Sequence, residues 1–152
     1  MKASLHWMQE MAFTCDNHGL KLTLDASPEH GGKDLGPSPK ELVLNAMMGC
    51  TAMDVVSILK KMRQTITEFK MEVSAEKTLE HPTHFKTATL FFNLKGPLEK
   101  EKVLKALHAS LTQYCGVNYM ISKTCQISYH LTLNDIFIEE GPVHFIEPKQ
   151  ES

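Results

Sequence analysis

Arginine is nearly missing from this sequence. Arg63 is the only one in 152 residues, the lysines are spread along the chain, and the formal net charge is -2. Clustered cations are what phosphate-backbone binding requires, so no nucleic-acid partner is expected. The chain also lacks an uninterrupted run of about 18 apolar residues, and no membrane-spanning segment is expected. Its first residues, Met1-Lys2-Ala3-Ser4-Leu5-His6-Trp7, lack the apolar stretch and cleavage site of a signal peptide, so the expected location is cytoplasmic. None of the four cysteines stands in a CxxC or similar spacing, and the eight histidines are scattered. Only His81 and His84 are close neighbours, with Pro82 between them. Local pattern therefore supports neither a metal nor a cofactor. In a reducing compartment four cysteines are core residues or redox groups rather than structural disulfides.

What is present is ordinary globular material, 42% apolar and 22% charged. A chain of this length can bury a core without staples. Residues 2–15 and 20–26 alternate as half-buried strands around the turn Asp16-Asn17-His18-Gly19. A turn-rich and mobile loop, 27–37, follows. Residues 66–79 and 84–95 alternate as a second hairpin, and a helix covers about 99–115, with Gly116 as its C-terminal glycine. A last strand runs from Cys125 to Leu133. The order ββ-α-ββ-α-β predicts an α+β fold with antiparallel sheet and two central helices. Residues 1–133 form the domain, and 134–152 a tail that docks through Ile136, Phe137, Ile138 and Phe145. There are no repeats or low-complexity segments.

The clearest local signal is Ser38-Pro39-Lys40-Glu41. A capping serine, a proline at the first helical position and a glutamate three residues after the cap make a capping box. The helix it starts is apolar nearly all round as far as Leu59, so it is expected to be buried. It carries Cys50, and Asp54 lies one turn later on the same face. A carboxylate there needs a proton or a partner. Arg63 ends the helix, thirteen residues and about 20 Å along the axis from Cys50. Read without further context, Cys50 is a core thiol, and Cys15 and Cys125 are packing residues in strands.

The segment Gly36-Pro37-Ser38-Pro39-Lys40-Glu41-Leu42 through Gly49-Cys50-Thr51-Ala52-Met53-Asp54 resembles the first cysteine motif of the OsmC/Ohr (osmotically inducible protein C / organic hydroperoxide resistance) family. Gln113-Tyr114-Cys115-Gly116-Val117 resembles its second. Asp54 to Gln64 is similar to the YhfA-like branch. The resemblance covers roughly residues 3–133 and implies an intertwined homodimer with active sites at the subunit interface. It also implies thiol-dependent reduction of organic hydroperoxides in oxidative stress. Cys50 would attack the peroxide and become a sulfenic acid, Cys115 would condense with it to a disulfide, and an external dithiol would reduce the pair. Glu41, Asp54 and Arg63 are possible supporting residues.

The sequence departs from the family pattern in three places. Residues 1–62 contain no arginine to hold a thiolate. The usual glutamate position is Lys40, with Glu41 one residue later. A proline after the second cysteine is replaced by Gly116. These departures motivate an alternative: the same dimer as a non-peroxidatic binding protein, holding an apolar small molecule beside an unreactive Cys50. A purely structural dimer is the third reading.

Overall fold

The computed structural model describes residues 1–147. The chain divides into two compact units, Met1–Asn45 and the part from Ala46 on.

The first unit is a three-stranded antiparallel sheet, β1 (Ser4–Gln9), β2 (Ala12–Asn17) and β3 (Leu20–Leu24), in sequential order. The single strand expected over 2–15 is two strands, because Glu10 takes a left-handed φ of 51° and folds the chain back between them. The loop expected to be mobile is pinned from inside. Asp25 is buried, and its Oδ2 accepts hydrogen bonds from the Lys33 and Leu35 amides at 2.9 and 3.2 Å. Its Oδ1 accepts from Ala26 at 2.8 Å. Gly36, at the head of the first motif, has no room for a side chain, since a Cβ there would sit 2.1 Å from the Thr23 carbonyl oxygen. A backbone atom cannot give way as a side chain can.

Helix α1 spans Pro39–Lys61. The capping box forms as the sequence predicts: the Ser38 amide donates to Glu41 Oε2 at 2.7 Å, and the Glu41 amide to Ser38 Oγ at 3.4 Å. The other end closes through Arg63, whose φ of 57° is left-handed. Its amide donates to Lys60 O and that of Gln64 to Leu59 O, both at 3.0 Å, which is a Schellman closure. Two expectations about α1 meet the structure here. The helix is long and apolar enough to cross a bilayer by length and composition alone, with a mean hydropathy of 1.7 over an 18-residue window. Asp54 is the only charge between Leu42 and Leu59, and core helices of soluble proteins pass the same test. Nor is α1 buried all round within one chain: Met47, Thr51, Val55 and Leu59 make a single buried stripe, while Met53 is 75% exposed.

The second unit holds a four-stranded sheet of β4 (Glu68–Lys77), β5 (Phe85–Lys95), β6 (Gln126–Leu133) and β7 (Ile136–Pro142), in that order. β4–β5 is antiparallel, as read from sequence, and β6–β7 is antiparallel too, but β5 and β6 run parallel. A parallel pair demands a long crossover, and here it contains α2 (Lys100–Ala109), a π-helical turn (Ser110–Tyr114) and α3 (Gly116–Ile121). β7 lies where the sequence suggested a tail. Tyr129 on β6 donates to Glu139 on β7, and Glu139 Oε1 is also 2.6 Å from His108 Nε2 on α2. Beyond β7, Phe145 meets Tyr119 edge to face. The last five residues of that expected tail lie outside the described residues. The core of this unit is Leu90, Phe92 and Leu94 of β5, Leu131 of β6, Val103 and Leu107 of α2, and the α1 stripe.

Candidate functional site

Two helical segments bring the site together. Cys50, Thr51 and Asp54 occupy successive positions along α1, and Ser110 and Cys115 bracket the π turn. Thr51 Oγ1 lies 3.3 Å from Cys115 Sγ, and Ser110 Oγ donates to Asp54 Oδ2 at 2.9 Å. These pairings step forward on one segment and backward on the other, so the two run antiparallel. The sulfurs of Cys50 and Cys115 and a carboxylate oxygen of Asp54 all lie within 4.8 Å of one another. All four cysteines are free thiols; Cys50 is half-buried and Cys115 buried.

Cys115 closes the helical run of α2 and the π turn, as the sequence suggested, its amide donating to Ser110 O at 3.0 Å. With a φ of -72° and a ψ of 92° it is at the same time the N-cap of α3, and its Sγ accepts from the Asn118 amide at 3.5 Å. Gly116 opens that helix rather than closing α2. The reason is the π turn, which interrupts the periodicity that a continuous helix over 99–115 would keep. Burial pushes the Cys115 thiol up to about 11, against the opposing pull of the Thr51 hydroxyl and the Asn118 amide, while the nearby Cys50 adds to the rise. Desolvation wins over capping, and at neutral pH Cys115 is a protonated thiol.

Three residues the sequence reading did not single out complete the shell. Thr51 stands on the buried stripe of α1 and accepts from Asn118 Nδ2 at 2.7 Å. Its one hydroxyl proton has two acceptors in reach, Met47 O at 3.1 Å and Cys115 Sγ at 3.3 Å. Asn118 is fully buried, and its Oδ1 has no partner among the described residues. A threonine on the only buried stripe of an apolar helix was the available signal, because a buried hydroxyl calls for a partner.

Of the supporting candidates, Asp54 joins the thiols. Glu41 is engaged in the capping box, and the Ser38 amide holds its carboxyl below the usual range. Arg63 serves the Schellman closure through its backbone.

Next to the thiols a cavity of about 560 Å³ opens, with Asp54, Ile58, Lys61, Met62, Lys105 and Tyr114 on its wall. It offers apolar surface, two cations and the Asp54 carboxylate.

Residues 31–130 match the family model described as OsmC-like protein. Protein YhfA of Escherichia coli strain K12 is 33% identical over 131 residues, covering 85% of this chain and 95% of that protein. An OsmC-like protein from Mycoplasma pneumoniae superposes with a TM-score of 0.75 at 16% identity, over 87% of this chain and 95% of that one. The organic hydroperoxide resistance protein OhrB of Bacillus subtilis does so with a TM-score of 0.63 at 16% identity, over 86% of this chain and 96% of that one. Both solved structures share the fold.

Proposed function

The chain belongs to the OsmC-like protein family, in its YhfA-like branch, and from that premise we propose that it reduces organic hydroperoxides through Cys50 and Cys115. The observation that carries this reading is the pair of free sulfurs within 4.8 Å, one half-exposed and one buried.

The half-exposed sulfur is the one a substrate can reach. Cys50 thiolate attacks the terminal peroxide oxygen, the O–O bond breaks, and the alkoxide leaves as the alcohol after taking a proton. Cys50 is then a sulfenic acid. Cys115 attacks that sulfur, water leaves, and the disulfide forms. Cys115 must lose its proton in this step, and the Asp54 carboxylate is the base at hand. A dithiol from outside restores both thiols. The cavity beside Asp54 receives the organic part of the peroxide.

The same reading makes the protein a homodimer. Met53 and Val56 on α1 are exposed in one chain, and a second copy would cover them. Free thiols throughout fit a reducing cytoplasm.

One equivalent of an alkyl hydroperoxide should produce a Cys50–Cys115 disulfide by mass spectrometry. Cys50→Ser should abolish peroxide consumption, and Cys115→Ser should leave a trappable sulfenic acid at Cys50. Peroxide consumption undiminished in Cys50→Ser, or no loss of free thiols in the wild type, sinks the proposal. The alternative, a non-peroxidatic pocket for an apolar molecule, is favoured by the missing arginine before residue 63. It predicts ligand binding that survives Cys50→Ser, with no thiol loss.

A further inference from the structure

We propose that the reduced Cys50–Cys115 pair and Asp54 form a binding site for one soft divalent cation of the zinc and cadmium class, and that forming the disulfide empties it. Three donor atoms, two sulfurs and one carboxylate oxygen, converge within 4.8 Å. In a tetrahedral zinc site with Zn–S of about 2.3 Å and Zn–O of about 2.1 Å, neighbouring donors stand roughly 3.5–3.8 Å apart. Closing the remaining ångström takes modest side-chain rotation. Cys50 and Asp54 are only half-buried and have room for it.

The donors are already oriented from outside, as metal ligands are. Ser110 Oγ fixes the Asp54 carboxylate at 2.9 Å. The Asn118 amide donates to Cys115 Sγ at 3.5 Å, and the Thr51 hydroxyl, 3.3 Å away, can turn its one proton there from Met47 O. Such bonds stabilise a metal-bound thiolate.

Charge makes the stronger case. No arginine precedes residue 63 to balance negative charge at the sulfurs, and a carboxylate lies beside both of them. The two neutral thiols can both give up their protons beside that carboxylate only if a cation enters to balance the charge. Sulfur donors select zinc or cadmium over magnesium or calcium. Asp54 also lines the open cavity, which supplies an access path and room for a solvent molecule at the fourth position.

Binding exchanges two thiol protons for one cation. Oxidation to the disulfide takes two electrons from the sulfurs, removes both thiolate donors and releases the ion. Cation binding does not rest on hydroperoxide turnover, so the two readings can fail separately.

The test uses the full reduced chain with Cys15→Ser and Cys125→Ser, which removes the other thiols. Zinc and cadmium are each titrated, following stoichiometry by dialysis and thiolate-to-cadmium charge-transfer absorption. One ion per chain is expected, absent after disulfide formation with diamide and absent in Cys50→Ser and in Cys115→Ser. Asp54→Asn should weaken binding by about tenfold or more, and Asp54→His, which replaces one ligand with another, should restore it. Circular dichroism confirms that each variant is folded. No stoichiometric binding, binding that survives loss of either cysteine or diamide oxidation, or binding undiminished in Asp54→Asn overturns the proposal.

Discussion

Thr51 is the residue on which the geometry around Cys115 turns. It links the buried thiol to Asn118, which is itself fully buried. Thr51→Val keeps the shape and removes the hydroxyl, leaving the Asn118 amide group without its acceptor. The expected cost is about 1–3 kcal/mol in urea unfolding, with disulfide formation slowed more than sulfenic acid formation at Cys50. Equal slowing of both steps would argue that Thr51 does not position Cys115. Both cysteines were legible in the sequence because each stands in a local motif. Thr51, Ser110 and Asn118 were not, since Thr51 meets a partner 67 positions away and Asp54 one 56 positions away. No local period encodes such pairings. The restart of the chain as α3 directly after Cys115 was missed for a related reason: a helix that breaks into a π turn and restarts looks continuous by its apolar spacing.

At the level of elements, the two ends of α1 illustrate what local chemistry can fix. The capping box at Ser38 was readable because all its groups lie within four residues. The far end was readable only as a boundary, and Arg63 was weighed there for its charge, whereas the structure uses its backbone. A left-handed residue with a side chain is strained relative to glycine. Arg63→Gly should therefore raise stability by about 1 kcal/mol in denaturant unfolding and leave the thiol chemistry unchanged. A loss of peroxide turnover in that variant would return the guanidinium to the list of functional groups. The loop after β3 behaves as a titrating clasp. Amide donors, led by Lys33, lower the Asp25 carboxyl below its usual value, so its contribution is fully present above the ordinary carboxylate range. It is lost as the pH falls through that range, near 4, and on to the lower folded value. Hydrogen exchange at the Lys33 and Leu35 amides should accelerate on acidification relative to the strands, and Asp25→Ala should abolish that difference.

For the whole molecule, the α+β class and most of the element order could be read from alternation and helical spacing. The parallel β5–β6 pairing could not, because it depends on where the crossover delivers the chain rather than on any pattern within the strands. β7 escaped notice for a different reason. Ile136 and Phe137 are exposed, and a register irregularity falls between Leu131 and Thr132 of its partner strand, so no clean two-residue alternation marks it. The meeting of Cys50 with Cys115 has a thermodynamic side. A bond between them would close a loop of roughly 65 residues, worth about 4 kcal/mol to the folded state through the entropy removed from the unfolded chain. For a chain of this size that is a rise of about 10 °C in melting temperature. The catalytic cycle would then alternate between a soft and a stiffened molecule, and a melting curve recorded during turnover should resolve two populations whose ratio reads out the supply of oxidant against reductant.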